Sequence, residues 1–207
     1  MLNDVYITDI KKTKRGYNAI FSQNGFEVSV DDVIVEQYNI EIGSCLSRRE
    51  FVCIKQQSAN QKREDKCFTL LSYRMHSEKE LRDKLLKYFD SYTADCAVER
   101  MRELGYLDDE KFAFSKRDYL INVKKHSLKD TAMRLSALGV DKNTIDNVIL
   151  NFDTGSESDV IKELIYKKYM SRLSRPEKVI ASLVRKGFPL GEVKKAVNGI
   201  LENIQEE

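Results

Sequence analysis

Apolar residues recur at every third or fourth position through most of the chain beyond residue 66. The clearest stretches of this kind are 94–104, 145–152 and 193–201. This spacing places the apolar side chains on one face of a helix, where they can pack against neighbouring elements. We therefore predict that the larger part of the chain is α-helical and that these faces form its core.

Serines that stand three residues before a carboxylate mark where three of the predicted helices begin. A serine side chain at this position accepts a hydrogen bond from a backbone N–H of the first turn, and the carboxylate can bond back to the serine N–H. The near-constant spacing of these pairs predicts an internal repeat. The pairs recur after 50 and then 47 residues: Ser77 with Glu80, Ser127 with Asp130, and Ser174 with Glu177.

A glycine followed by an apolar residue marks several of the predicted helix ends. Gly105, Gly139 and Gly187 each have such a neighbour. Glycine readily adopts the left-handed backbone conformation that closes a helix. The first repeat has no glycine at residues 88–90, where the second and third repeats have one, so we expect the chain to turn there by another route.

The stretch 105–113 contains a helix end, an apolar hinge and a helix start within nine residues. Tyr106 and Leu107 can fold back on the helix that ends, and Asp108 or Asp109 can cap the helix that begins. Caps and hinge packing account for such positions without a partner. We assign eleven residues to this architecture: Ser77, Glu80, Gly105, Leu107, Asp108, Asp109, Phe112, Ser127, Gly139, Ser174 and Gly187.

These signals together predict three units of three helices each, covering 61–105, 106–153 and 154–207. A unit of this length cannot bury its apolar faces alone, so we expect the units to stack into an elongated array of tandem three-helix repeats. The fold class is thus mainly α, with a small α+β domain at residues 1–60.

The first sixty residues have the composition of strands. The segments 5–7, 17–21 and 26–30 are rich in β-branched and aromatic residues, and Asn24-Gly25 is a strong signal for a type I′ hairpin. They predict a three-stranded antiparallel sheet, which is followed by a short helix capped at Asp31-Asp32.

A second helix of this domain is predicted to begin at Ser47, because Glu50 completes a capping box. The polar run 56–61 is either a linker or the exposed middle of a long helix, and the sequence leaves both readings open.

Composition limits the classes of function that the chain can have. The 207 residues are 42% hydrophobic and 33% charged, with no run long enough to cross a membrane and no signal-peptide pattern at residues 1–4. No phosphate loop, nucleophile elbow or metal-binding motif is present. We expect a cytoplasmic protein that is not an enzyme and that holds no metal or cofactor. The four cysteines form no CxxC pair and are expected to be idle or buried thiols: Cys45, Cys53, Cys67 and Cys96.

Charge is distributed unevenly along the helical part. The net charge of the whole chain is only +2, yet residues 158–195 carry 10 basic and 4 acidic side chains. This third repeat is therefore a basic surface, which is either a partner-binding site or an ordinary solvated helix face.

The helical part resembles a known family in several places. The segment 71–81, the joint 105–109 with Phe112-Ala113, and the later helix ends at 139–140 and 186–188 follow one another as in the RecX family of regulatory proteins. The likeness spans residues 66–202, and its specificity lies in the combination of the joint with three units in sequence.

The resemblance implies a fold of tandem three-helix repeats and a role in modulating the RecA recombinase. Members of the family bind RecA filaments on single-stranded DNA, lie along the groove of the filament and contact neighbouring subunits. Binding suppresses ATP hydrolysis and strand exchange, and it limits filament growth or promotes disassembly of the filament. The implied setting is recombination, DNA repair and the SOS response.

We expect the contacts to the RecA filament and its DNA to come from basic residues, because the arginine fork pairs well with carboxylate and phosphate. Tyr106 is added because its hydroxyl can remain available to a partner. Two alternatives stay open: a helix-turn-helix-like protein that binds DNA directly through the third repeat, and a structural adaptor for unrelated proteins. We expect a monomer. The candidate contact residues are Arg74, Arg82, Tyr106, Arg117, Lys124, Lys125, Arg172, Arg175, Lys178, Arg185 and Lys186.

Overall fold

The computed structural model of the protein describes residues 4–152 and 154–206. Its contacts divide the chain into two compact units, Met1–Leu70 and Leu71–Glu207, which we call the N-terminal unit and the C-terminal unit. Residues 1–3, on which most of the signal-peptide prediction rests, and the predicted domain limits at 153 and 207 lie outside the described residues. The predicted domain limit at residue 60 falls within a helix, and the four-part division stays a prediction.

The N-terminal unit contains a four-stranded antiparallel sheet of order β3-β2-β1-β4. The prediction of three strands was wrong by one, because β4 is only two residues long and shows no alternation. It pairs with β1 through Val5 opposite Leu46. The strands are β1 (Val5–Lys12), β2 (Asn18–Ser22), β3 (Gly25–Val30) and β4 (Cys45–Leu46).

The hairpin between β2 and β3 is confirmed, but its type I′ turn is wrong. A type I′ turn needs positive φ at both central residues, and neither Gln23 nor Asn24 has it. Gly25 takes the positive φ instead, at +96°. A register shift follows in the pairing of β2 with β3 between Ile20 and Phe21. The positive φ of Gly25 therefore follows the turn, at the first residue of β3, and β3 pairs with β2 through a β-bulge.

Two helices complete the N-terminal unit. In α1 (Asp32–Gln37), the side chain of Asp31 accepts from the N–H of Ile34, as the cap prediction required. The helix α2 (Arg48–Tyr73) begins with the predicted capping box. The polar run 56–61 is the middle of this helix. The core beneath the sheet is formed by Ile7, Ile20, Val30, Ile34, Ile40, Leu46, Phe51 and Ile54.

The C-terminal unit is helical. Wide π-helical turns continue two of its helices, at Tyr119–Val123 and Ile165–Tyr169, and a short 3₁₀ turn follows at Met170–Arg172. Its helices are α3 (Glu78–Leu85), α4 (Ser91–Glu103), α5 (Asp109–Asp118), α6 (Leu128–Ala137), α7 (Lys142–Leu150), α8 (Thr154–Leu164), α9 (Pro176–Arg185) and α10 (Leu190–Glu206).

The predicted apolar faces form the core of the C-terminal unit with one exception. Met101 in α4, Val148 in α7 and Val197 in α10 are fully buried. Leu104, the last residue of the first predicted stretch, is 42% exposed because the helix ends there. Beyond the turn, Leu107 is buried instead.

Three glycines end helices in the predicted manner. Gly105, Gly139 and Gly187 have φ of +76°, +89° and +91°. After each of them, the next residue donates its N–H five positions back, for example from Tyr106 to the carbonyl of Met101 at 2.9 Å. The helix α3 ends without a glycine, as expected from its sequence.

The serine caps are confirmed at two of the three helices. Ser77 and Ser127 accept from the backbone N–H groups of Glu80 and Asp130, each at 3.1 Å. Neither carboxylate is recorded bonding back to its serine. The arrangement is therefore a simple cap and not a full capping box.

The cap predicted at Ser174 was wrong. The helix α9 begins one residue later, with Arg175 as its N-cap and no side-chain hydrogen bond to the cap position. A cap at Ser174 would make Arg175 helical, but a residue that precedes a proline is disfavoured in the helical region. Arg175 has φ −132° and ψ 72°, so Pro176 moves the helix start and leaves Ser174 in a turn.

Candidate partner-binding surface

A hydrogen-bonded contact, the first joint, ties the start of α3 to later parts of the C-terminal unit. The hydroxyl of Ser77 donates to the carbonyl of Leu138 at 2.6 Å, and Asp109 accepts from the N–H of Glu78 at 2.9 Å. One serine thus accepts within its own helix and donates to the end of α6.

The second joint repeats this pattern at the start of α6. The hydroxyl of Ser127 donates to the carbonyl of Lys186 at 2.8 Å, and Glu157 accepts from the N–H of Leu128 at 3.0 Å. The same groups stand in the same roles about 48 to 50 residues later. The joint therefore holds α6, α8 and the end of α9 in a fixed register.

Glycine is required at both joints for space as well as for conformation. A Cβ atom at Gly139 would lie well inside contact distance of Lys79, and one at Gly187 would lie 2.7 Å from the hydroxyl oxygen of Ser127. The helix ends can approach the serines only because these glycines have no side chain.

The acidic residues of the joints differ from an ordinary cap. Burial raises the pKa of Asp109 and of Glu157, although each accepts a backbone hydrogen bond that opposes the shift. Asp108 instead caps α5 by accepting from the N–H of Lys111 at 2.9 Å, and this bond lowers its pKa. The two neighbouring aspartates of the predicted joint thus have separate structural tasks.

Beside the second joint lies a cavity of about 510 Å³, the joint cavity. Among the described residues of its lining, the only acidic side chain is that of Asp130, which bonds to His126 and to Arg134. The remaining cations of the lining outnumber it and give the cavity a positive potential. They are Lys124, Lys125, Lys129, Lys168, Arg185 and Lys186.

Unusual backbone brings two of these lysines to the joint cavity. Lys124 and Lys125 follow the π-helical turn 119–123, and Lys125 has a left-handed φ of +58°. Few residues other than glycine adopt this conformation. Its side chain pairs with Glu163, whereas Lys124 lies 5.5 Å from the ring centre of Tyr119.

A second cavity of about 530 Å³, the end cavity, lies at the start of α9. Its cations come from the 3₁₀ turn and from α9, and serine hydroxyls lie among them. No acidic side chain lines it among the residues that the structure describes. The lining comprises Tyr169, Ser171, Arg172, Ser174, Arg175, Lys178, Val179, Ser182 and Arg185.

Tyr169 reports the potential of this region. Burial opposes its ionisation, but the hydrogen bonds of Ser182 and Lys186 and the nearby charge of Arg172 hold its pKa below the usual value. Its hydroxyl lies 3.0 Å from that of Ser182. A buried phenol that is nonetheless easier to ionise is in keeping with the hydrogen bonds and cations around it.

The structure therefore brings four of the five predicted third-repeat residues together around the end cavity: Arg172, Arg175, Lys178 and Arg185. Lys186 lines only the joint cavity, and Arg185 is shared by both cavities. Arg74 and Arg82, in contrast, form bidentate ion pairs with carboxylates of the same chain. Arg74 bonds to Glu80 at 2.8 and 2.9 Å, and Arg82 bonds to Asp95 at 2.5 and 3.2 Å.

Arg117 is placed differently from the prediction. Its side chain is only 11% exposed, and its guanidinium lies between the rings of Phe114 and Phe152, at 5.0 and 5.3 Å from their centres. It donates to the carbonyl of Val148 at 2.8 Å and pairs with Asp118. A surface contact is incompatible with this burial, so we reassign Arg117 to the architecture of the C-terminal unit.

Tyr106 is 56% exposed, in keeping with a surface role.

Comparison with known proteins places the chain among regulatory proteins. A family profile described as RecX, first three-helix domain, matches residues 65–101. The regulatory protein RecX of Listeria monocytogenes serotype 4a (strain HCC23) is 27% identical over 86% of this chain and 68% of its own length. That of Oceanobacillus iheyensis is 28% identical over 92% and 74%, and one from Streptococcus thermophilus is 25% identical over 97% and 79%.

Two solved structures share the fold of this chain. A crystal structure of regulatory protein RecX has a TM-score of 0.66 and 20% identity, covering 92% of this chain and 99% of that chain. The crystal structure of RecX from Lactobacillus salivarius has a TM-score of 0.58 and 20% identity, covering 67% and 94%. This chain belongs to the RecX family. The structural likeness supports the fold of this RecX-family protein, while the sequence relatives carry the family assignment.

Three cations of the joint cavity were missed from the sequence of this RecX-family protein: Lys129, Arg134 and Lys168. Lys129 and Arg134 lie in α6, whereas Lys168 lies in the π-helical turn Ile165–Tyr169, and tertiary packing brings the two segments to one cavity. Lys129 could have been found, because it lies two residues after the serine that the repeat pattern singled out.

Three further observations bear on the other predictions. Within residues 4–152 and 154–206, no helix is long and apolar enough to cross a membrane, and no group of acidic, cysteine or histidine residues could hold a metal ion. Burial raises the pKa of the Cys67 thiol to about 11, so this thiol is unreactive at neutral pH.

Proposed function

We propose that this RecX-family protein binds RecA filaments on single-stranded DNA and lowers their ATP hydrolysis, strand exchange and growth. Membership of the family implies regulation of RecA in general. The observation that carries the finer proposal is the pair of basic cavities that share Arg185, in which the cations of the described lining outnumber the single acidic side chain, Asp130. A nucleoprotein filament is a dense polyanion, to which such a surface is suited.

The two joints support a tandem array as the scaffold of this function. Ser77 and Ser127 make equivalent bonds, and so do Asp109 and Glu157. We propose that the helical part of the chain consists of three repeats of three helices each. The first repeat includes the end of α2. Repeats fixed in this way can present many weak contacts to a partner that is itself repetitive. The proposed protein is a monomeric, cytoplasmic, non-enzymatic regulator.

The test is the ATPase rate of RecA on single-stranded DNA, titrated with this protein. We expect inhibition at fewer than one protein per RecA subunit. A variant with Arg172→Glu, Arg175→Glu and Lys178→Glu should need at least tenfold more protein, because charge reversal repels the filament.

The matched control reverses Lys162, Lys194 and Lys195, which are exposed cations of the same part of the chain outside both cavities. It should inhibit like the wild type. A wild-type protein that leaves the ATPase rate unchanged at stoichiometric excess contradicts the proposed function.

The absence of acidic residues from the described lining of the end cavity also favours the second candidate, a protein that acts on DNA directly. That function predicts tight binding to bare DNA with a steep salt dependence and no requirement for RecA. A filament regulator binds bare DNA more weakly and tightens when RecA is present. An adaptor for unrelated proteins binds neither.

A further inference from the structure

The end cavity lies where the series of joints stops. At the starts of α3 and α6, a serine hydroxyl, a glycine-ended helix and a buried carboxylate close the surface. The corresponding Ser174 at α9 makes no such joint in the described part of the chain, and it lines a cavity instead. This end of the unit is therefore open.

Pro176 makes this end unsuitable for another joint. In both joints, the first residue of the helix donates its N–H to a carboxylate, from Glu78 to Asp109 and from Leu128 to Glu157. Pro176 holds that position in α9 and has no N–H. A further copy of the chain could not dock there through the contacts used inside the molecule.

Where the other two helix starts form a joint, the start of α9 has a cluster of cations. Arg172, Arg175 and Lys178 have no ion-pair partner among the described residues, unlike Arg74 and Arg82. Like charges held around one concave surface repel one another, and an anion that enters the cavity relieves this repulsion. The arrangement has the features of a site for an external anion.

The donors favour a phosphate over a carboxylate. Arginine and lysine side chains line a cavity of about 530 Å³ together with Ser171, Ser174 and Ser182. A phosphate offers several oxygens in a tetrahedral arrangement and can accept from donors on several sides at once, whereas a carboxylate offers two oxygens in one plane. The Arg185 side chain links this cavity to the joint cavity, so that successive phosphates have a continuous basic path.

We propose that the end cavity binds phosphate groups of a single-stranded nucleic acid. This deepens the proposed function, on which it rests, by assigning the end cavity to the DNA strand of the filament and not to RecA. The cavity then anchors the strand while other surfaces of the protein meet RecA.

The test is fluorescence anisotropy of a labelled oligothymidylate with the full chain and without RecA. A variant with Arg172→Gln, Arg175→Gln and Lys178→Gln should bind at least tenfold more weakly than the wild type. The logarithmic salt dependence should become shallower by about two, since each phosphate contact on a single strand contributes about 0.7.

The control for this test is Lys162→Gln, Lys194→Gln and Lys195→Gln, which removes the same charge from outside the cavity. It should change affinity less than twofold, and circular dichroism should show both variants folded. Equal losses in the two variants would mean that only general charge matters, and no loss in either would mean that the strand binds elsewhere. Each of these results overturns the proposal.

Competition separates the possible sources of phosphate. Pyrophosphate and ATP, added at equal ionic strength, should displace the oligonucleotide only at concentrations far above that of an unlabelled strand. Stronger displacement by ATP would show a free-nucleotide site and overturn the strand assignment.

The RecA ATPase assay keeps the two proposals apart. If the wild type binds the strand through the cavity but leaves the ATPase rate unchanged, the proposed function fails and the phosphate site stands. If the cavity variant loses inhibition but binds bare strand normally, the cavity faces RecA and the phosphate site fails.

Discussion

Arg74, Arg82 and Arg117 differ from Arg172 and Arg175 in what their guanidinium groups contact. The first three bond to carboxylates within the chain, and Arg117 is also enclosed by aromatic rings. The other two line a cavity without an acidic side chain in its described lining. The same residue type therefore serves the stability of the fold in one region and is left available for a partner in the other.

The difference teaches that local charge counts do not identify a binding surface by themselves. Glu80 and Asp95 neutralise two arginines across helix ends, 6 and 13 residues away in the chain. A candidate surface is defined by cations whose nearby acidic residues are absent or already engaged, as Asp130 is in the joint cavity.

The largest effect that tests this comparison is expected at Arg117. Replacement by leucine removes the donor to the carbonyl of Val148 and the packing between Phe114 and Phe152. We expect the free energy of unfolding to fall by about 2 to 4 kcal/mol, as for other buried polar groups with several contacts. Urea denaturation measures this loss, and strand binding of the folded fraction should not change.

Arg172→Leu is the matched control for that substitution. It should alter the free energy of unfolding by no more than about 0.5 kcal/mol, as is usual for exposed positions. Equal losses at the two positions would break the distinction between structural and available arginines.

A second, smaller effect is expected at Gly187, which lies against Ser127 in the second joint and lines the joint cavity with it. Gly187→Ala should cost about 2 to 3 kcal/mol, because a left-handed alanine is disfavoured by about 1 kcal/mol and its Cβ meets Ser127. Oligonucleotide binding should weaken as well, since the cavity cations would shift. Thermal or urea unfolding and anisotropy measure the two consequences.

Gly105→Ala separates conformation from contact. Gly105 has a similar left-handed φ but no atom within 4 Å of an added Cβ. We expect a loss of about 1 kcal/mol from the backbone alone and no change in strand binding. If Gly105→Ala lowered the free energy of unfolding as much as Gly187→Ala, the contact of Gly187 with Ser127 would add nothing to stability, which would contradict the role proposed for the second joint.

The smallest effect concerns Arg74, whose pair with Glu80 should be visible in the pH dependence of stability. Arg74 lowers the pKa of Glu80, against a smaller opposing effect of burial. A carboxyl with a lowered folded-state pKa contributes stability above its unfolded value, near 4.5, and loses it as the pH falls through the lowered value.

We therefore expect Arg74→Gln to cost about 0.5 to 1 kcal/mol at pH 7, a range that allows for solvent screening. The difference from the wild type should shrink towards zero in acid, as urea denaturation at pH 7 and pH 3 would show. Arg172→Gln should show no such pH-dependent loss. A pH-independent difference at Arg74 would mean that its packing, and not its charge, matters.

Local features of the sequence predicted the fold well where a few neighbouring residues decide the structure. The caps at Asp31, Ser77 and Ser127 and the glycine helix ends are of this kind. The cap at Ser174 failed although its cause, Pro176, is also local, because the proline moves the helix start by one residue and the spacing of the serines does not report this shift. The two-residue strand β4 was missed because its pairing depends on a distant strand.

The candidate surface was less predictable than the fold. The basic composition of residues 158–195 pointed to the region, but not to the cavities. The burial of Arg117 depends on Phe152, 35 residues later in the chain, and the contribution of Lys129 depends on Lys186 approaching Ser127. Such contacts are set by tertiary packing, which a helical spacing does not report.

The two joints also give the chain an order of assembly during its synthesis. Ser77 bonds to a carbonyl 61 residues later, and Ser127 to one 59 residues later. A chain that emerges from its N-terminus cannot close the first joint before Leu138 has left the ribosome, nor the second before Lys186 has done so. The joints at the starts of α3 and α6 therefore each require a segment that is made later, and the second joint, with the joint cavity beside it, closes after the residues of the first joint have been made.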